Sequence, residues 1–297
     1  MKKALSLVVV FAFAVMLLAA CGAPKAADNA GQAANSGASS TPAPAKEDAK
    51  KALKIGATAG PYSDMVTKAI KPLMEKKGYT ISIVEFNDYV QPNKALASGS
   101  IDANLFQHIL YLKQFAADNK LDLKEILSVP TAPMGIYSKK FKSLDDIEKG
   151  STITVANDPA NLSRTLLMMQ NFGLITIKKD ANQATISEKD VEGNPKGLVI
   201  KPIEAAQLPR TVDSTALAAV PGNFALAAGM DLTSAIKLEN MAENYRNVLV
   251  VKTSDIDSQF AKDLKETLQS KDFEKIIDEQ FKGFSKPEWM KAAAGKS

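Results

Sequence analysis

Histidine and cysteine are almost absent from this chain, and arginine is rare. Among 297 residues there is one histidine, His108, and one cysteine, Cys21. Three of the 37 basic residues are arginine: Arg164, Arg210 and Arg246. Each scarcity excludes something. A zinc or iron centre takes three or four His, Cys or carboxylate ligands, so carboxylates alone would have to complete one here. A lone cysteine has no disulfide partner within the chain. Nucleophilic catalysis lacks its usual signatures, since there is no GxSxG, no HExxH and no cysteine beside the histidine. Beyond residue 20 no apolar run reaches the roughly eighteen residues that a membrane span needs. A basic surplus is missing too. Residues 1–52 hold six lysines and three acidic residues, which leaves 31 basic and 30 acidic residues, a net charge of +1, for the remainder. Such a balance gives no footprint for nucleic acid. Neither an internal repeat nor a heptad array is present.

What the chain does have begins at its start. Met1–Lys2–Lys3 precedes an apolar run from Ala4 that ends in Leu18–Ala19–Ala20–Cys21. This pattern predicts a secretory signal over 1–20. LAAC resembles a bacterial lipobox, whose cysteine becomes the first mature residue and carries a diacylglycerol on its thiol. An incidental cysteine behind an ordinary signal is the alternative. Residues 21–52 are then mostly Ala, Gly, Ser, Pro, Asn and Lys, without aromatics. Such a composition cannot offset its ordering entropy, and it predicts a flexible linker with a reach of roughly 30 Å. The folded part starts at about residue 53, and its length predicts two lobes.

From there strand and helix patterns alternate. Strands are predicted at 53–58, 79–86, 101–106, 126–129, 134–137, 152–156, 198–203, 216–220 and 247–252. A helix capped by Ser63 runs toward Gly78, with a kink or early break at Pro72. Further helices fall at 92–97, from about 108 to 119, at 158–173, 205–212 and 223–228, and between about 257 and 281. The alternation predicts an α/β fold with parallel sheets and a ligand cleft between two lobes. Three clusters then sit at strand ends, where ligands bind in such folds. They are FQH at Phe106–His108, NDPAN at Asn157–Asn161, and PGN at Pro221–Asn223.

In the second cluster Asp158 caps a helix and Pro159 suits its first turn. Asn161 and Arg164 share one face, while Leu162, Leu166 and Met169 share another. An arginine at a helix start in a lysine-rich chain points to its planar fork gripping a carboxylate through two hydrogen bonds. A surface arginine in an ion pair is the other reading. His108 admits several roles: a base with distant partners, a helix-start histidine satisfied by backbone, or a wall with Tyr89, Phe106 and Tyr111. Aromatic walls suit an apolar chain, a thioether or an ammonium group. Gly222 allows close backbone approach, and Asn223 is either a cap or a ligand contact.

GATAGPYSDM, VEFNDYVQPNKALASGSIDANLFQHILYL, GIYSKKFKSLDDI, NDPANLSRTLL, EAAQLPR and VPGNFALAAGM follow one another in this order. Together they resemble the NlpA-type methionine-binding lipoproteins of bacterial importers, from about Lys54 to Phe284. The resemblance implies a two-lobed fold of the type II periplasmic-binding-protein kind, with lobe 1 at 53–138 and 241–297 and lobe 2 at 139–240. It implies capture of methionine, L- or D-, and delivery to an ABC permease driven by an ATPase, with no catalysis, no metal and no cofactor. The implied protein is a monomer, tethered through Cys21 on the extracytoplasmic side of a membrane. Tyr89, Phe106, His108 and Tyr111 are implied to surround the thioether, Arg164 to take the carboxylate, and Asn161 and Asn223 to hold the remaining polar atoms. Another amino acid or a short methionine-containing peptide is the nearest alternative ligand, and a metal-binding lipoprotein is a more distant one. Ala160, Leu110 and Pro221 depart from the family pattern, where threonine, proline and a different residue are usual.

Overall fold

In the computed structural model, residues 51–294 are described, apart from residue 184. The expected signal, Cys21 and all but the end of the linker lie outside the described residues.

The first lobe begins with β1 (Ala52–Thr58), α1 (Pro61–Met65) and α2 (Lys71–Glu75). It continues through β2 (Thr80–Phe86), α3 (Gln91–Ala97), β3 (Ala103–His108), α4 (Ile109–Asn119) and β4 (Leu123–Ser128). The expected break at Pro72 takes a definite form. Proline cannot donate to the preceding turn, and a wider π turn over Val66–Ile70 joins α1 to α2 just before it. β1 lies between β2 and β3 in the sheet order β2-β1-β3-β12-β4, and its last four residues are all buried.

The second lobe comprises β5 (Gly135–Tyr137), β6 (Thr152–Ala156), α5 (Pro159–Asn171), β7 (Thr176–Ile177), β8 (Val191–Gly193) and β9 (Val199–Ile203). After these come α6 (Leu208–Thr211), β10 (Leu217–Val220), α7 (Gly222–Ala227) and β11 (Lys237–Leu238). Its sheet runs β11-β5-β10-β6-β9, while β7 and β8 form a separate ribbon. The chain then returns to the first lobe through β12 (Asn247–Lys252), α8 (Gln259–Leu268), α9 (Lys271–Gln280) and α10 (Glu288–Ala294). Each lobe has its own apolar core: Ile55, Ile70, Leu105 and Leu264 belong to one, Ile153, Leu166, Met169 and Leu217 to the other.

Two expectations need correcting. The sheets are mixed, because a strand arriving from the other lobe enters against the local direction. β12 lies antiparallel between β3 and β4, and β5 lies antiparallel to β10, while β1, β2 and β3 are mutually parallel. The strand at 135–137, expected beside the first-lobe strands, also belongs to the other sheet. β5 pairs with β10 in the second sheet, so the chain crosses between Val129 and Met134. It crosses back between Glu239 and Arg246.

Candidate functional site

The parallel strands of both lobes send their carboxyl ends into one cleft. β1 ends before α1, which carries Tyr62. β2 ends before Tyr89, and β3 ends in His108. From the opposite lobe, β6 leads into α5 with Asn161 and Arg164, and β10 leads into α7 with Gly222 and Asn223. A narrow cavity lies where these ends meet. All seven residues singled out from the sequence line it: Tyr89, Phe106, His108, Tyr111, Asn161, Arg164 and Asn223. Tyr62, Gln107, Thr131 and Asn247 line it as well, and sequence reasoning missed them. Asn247 and Thr131 sit where the chain crosses between lobes, outside any local motif. Tyr62 lies in the GPYSDM stretch, and a tyrosine in the first helix after a strand end was the available signal.

The aromatic wall is a mutually packed set. Tyr89 stands 5.9 Å from Phe106 and 5.7 Å from Tyr111, centroid to centroid. Phe224 of the second lobe joins it, 4.8 Å from Tyr89. The Tyr111 hydroxyl donates to the Tyr89 carbonyl at 2.8 Å, which fixes the loop after β2. Beneath the wall, the buried amides of Asn93, Asn104 and Gln107 bond to one another, including a reciprocal Asn93–Gln107 pair at 2.7 Å in each direction.

His108 is the last residue of β3 and the cap of α4, so the expected helix starts one residue later. Its Nδ1 accepts from the Tyr111 backbone N–H at 3.2 Å, and its Nε2 lies 3.1 Å from Asn161 Oδ1. An accepting Nδ1 leaves the proton on Nε2, so the ring is neutral and donates to Asn161. Burial, with the nearby Arg164 guanidinium, lowers its pKa to about 3 against the Asn161 bond. The ring therefore bridges the lobes. Tyr89 makes a second bridge, its hydroxyl donating to Asn223 Oδ1 at 2.7 Å.

Asp158 caps α5 as expected, accepting from the Asn161 N–H at 2.9 Å. Its carboxylate also accepts from Asn161 Nδ2 at 3.1 Å, so the Asn161 amide is engaged at both ends. Leu166 and Met169 point into the second core, and Arg164 faces the cleft from the other side of the helix. The two-bond fork expected for a ligand carboxylate is occupied differently. Arg164 Nε donates to Glu239 Oε2 at 3.0 Å and Nη2 donates to Glu239 Oε1. The pair is buried, so the ion-pair alternative holds for its partner and not for its surface location. Nη1 has no hydrogen-bond partner among the described residues. Tyr245 packs against the guanidinium, 4.9 Å from its ring centroid, and edge-on to His108 at 5.3 Å. Asn223 does not cap its helix. Its Nδ2 is buried and without a hydrogen-bond partner.

No group of three His, Cys, Asp or Glu side chains among the described residues is placed to hold a metal ion. Among the same residues no helix is long and apolar enough to cross a membrane.

Two lobes that turn their strand ends, an aromatic wall and a buried guanidinium toward one cavity define a binding protein of the two-lobed periplasmic type. The chain belongs to the NlpA lipoprotein family, whose profile matches residues 53–289. The probable D-methionine-binding lipoprotein MetQ of Vibrio cholerae is 37% identical over 241 residues, covering 80% of this chain and 88% of that one. The D-methionine-binding lipoprotein MetQ of Escherichia coli K12 is 37% identical over 240 residues, with the same coverage of 80% and 88%. A solved structure of a nutrient-binding protein from Burkholderia cenocepacia bound to methionine is 39% identical. It superimposes with a TM-score of 0.74, over 78% of this chain and 97% of that one.

Proposed function

We propose that this protein captures methionine outside the cytoplasm and delivers it to an ABC importer, making and breaking no bond. In this reading Cys21 carries a lipid that holds the protein, as a monomer, on the extracytoplasmic face of a membrane. The lobes hand their ligand to a permease in that membrane, which an ATPase drives. The methionine thioether lies against Tyr89, Phe106 and Tyr111, a setting that favours soft sulfur over a polar side chain. Its carboxylate faces Arg164 through the unengaged Nη1, and Asn223 Nδ2 supplies a second donor. Asn161 acts at one remove, accepting from His108 Nε2–H and so fixing that ring as part of the wall. A ligand that touches both lobes favours their closed arrangement by its differential contacts alone.

The observation that carries the reading is Asn223 Nδ2, a buried amide donor without a hydrogen-bond partner, lining the same cavity as the aromatic wall and the guanidinium. A buried donor left unpaired costs about 1–3 kcal/mol, which an acceptor on the ligand recovers. A thermal-shift panel tests the proposal with the common amino acids, D-methionine, methionine-containing dipeptides, zinc and manganese. Ligands that bind only the folded protein raise its stability with concentration. Methionine, as one or both enantiomers, should give the largest shift. A larger shift with a dipeptide, or a metal-induced shift that EDTA abolishes, would overturn the assignment.

A further inference from the structure

Glu239 sets the charge of the site. It follows β11 on the segment that returns to the first lobe, far in sequence from the helix it serves. Its Oε2 accepts from Arg164 Nε at 3.0 Å, and its Oε1 accepts from Arg164 Nη2 and from the Met134 N–H, the last at 2.6 Å. Its own N–H donates to the Met134 carbonyl at 2.9 Å. The carboxylate is thus fixed to both crossing segments and to the guanidinium at once. The Arg164 and Glu239 side chains are only 6% and 5% exposed, so salt screens their pairing little. Of the residues lining the cavity only Arg164 and His108 are basic, and none is acidic. The Tyr111 N–H donated to Nδ1 keeps His108 neutral. Arg164, the one cation at the wall, therefore arrives paired with Glu239, while the nearby Asp158 carboxyl, pushed by burial toward its neutral form, is taken up by the Asn161 N–H and Nδ2.

We infer that Glu239 is a specificity-determining residue: by neutralising Arg164 it makes the cavity select a zwitterion over singly charged relatives of the same shape. The inference rests on the methionine reading above. A monoanion lacking the amine brings one uncompensated charge out of water, and so does a monocation whose carboxylate is masked as an amide. Each is disfavoured because a buried charge must be paired. A zwitterion brings no net charge. Were Arg164 unpaired, the preference would split, with the monoanion welcomed and the monocation excluded.

The test is calorimetry on the full chain with three ligands: methionine, 4-(methylsulfanyl)butanoate, and methioninamide at mildly acidic pH, where its amine is protonated. In the wild type both analogues should bind at least about thirtyfold more weakly than methionine and within about tenfold of each other. Glu239→Gln keeps an acceptor for Met134 and removes the charge. It should improve the monoanion by at least about tenfold relative to the amide. A wild type that accepts the monoanion nearly as well as methionine while rejecting the amide overturns the inference, and so does an unchanged ratio in the variant. If Glu239→Gln does not fold, the symmetry of the wild-type panel decides alone. A wild type that binds none of the three overturns the methionine reading itself.

Discussion

His108 serves the site by staying uncharged. The folded protein holds its pKa at about 3, below the ordinary 6.5, first through burial and then through Arg164. Once the protein unfolds, the ring takes up a proton below about pH 6.5, whereas the folded ring does not until about pH 3. Folding stability from this residue is therefore complete above about pH 6.5 and falls by about 1.4 kcal/mol per pH unit as the pH drops toward 3. Urea denaturation across that window should show a pH slope steeper by this amount in the wild type than in His108→Gln. Equal slopes in the two proteins would show that His108 titrates alike folded and unfolded. Asn223 gives a second test. Asn223→Asp keeps an oxygen for the Tyr89 hydroxyl and puts an acceptor where the unpaired donor stood. Methionine affinity should fall by at least about tenfold, and unchanged affinity would remove Nδ2 from the proposed contacts.

At the scale of elements, the cleft depends on how closely α7 meets the crossing segment from the first lobe. A Cβ on Gly222 would lie 2.4 Å from the Pro133 carbonyl oxygen and 2.7 Å from the Ala132 carbonyl carbon. Backbone atoms cannot rotate away as a side chain can, so Gly222→Ala must push α7 outward and take Asn223 with it. The expected result is a loss of about 1–3 kcal/mol in urea denaturation, with weakened methionine binding. Wild-type behaviour in both would mean that the helix and the crossing segment are not held in register. Much at this scale was legible. The Pro72 break, the Asp158 cap and the strand ends before Asn157 and Pro221 each follow from local residue chemistry. The antiparallel entry of β12 and the transfer of β5 to the second sheet were not legible. Both arise because a strand comes from the other lobe, and no residue in NVLVVK or GIY records that origin.

For the whole molecule, the same distinction explains which parts of the site the sequence revealed. Tyr89, Phe106, His108, Tyr111, Asn161, Arg164 and Asn223 cluster in short motifs at strand ends, so pattern and resemblance found them together. Glu239 sits in an unremarked stretch, KLENMAENY, and only folding brings it to Arg164. Asn247 and Thr131 become lining residues only because the crossing segments pass beneath the cleft. Closure itself has a physical basis, since two side-chain bonds already span the lobes, His108 to Asn161 and Tyr89 to Asn223. They bias the lobes toward one arrangement, and a ligand of the right charge and length completes it. Calorimetric titration of methionine into the wild-type protein, unfolded and refolded beforehand to remove anything carried through purification, tests the central claim most directly. The account predicts one methionine bound per chain, with a dissociation constant of about a micromolar or tighter. The absence of binding, or more than one site per chain, would contradict it.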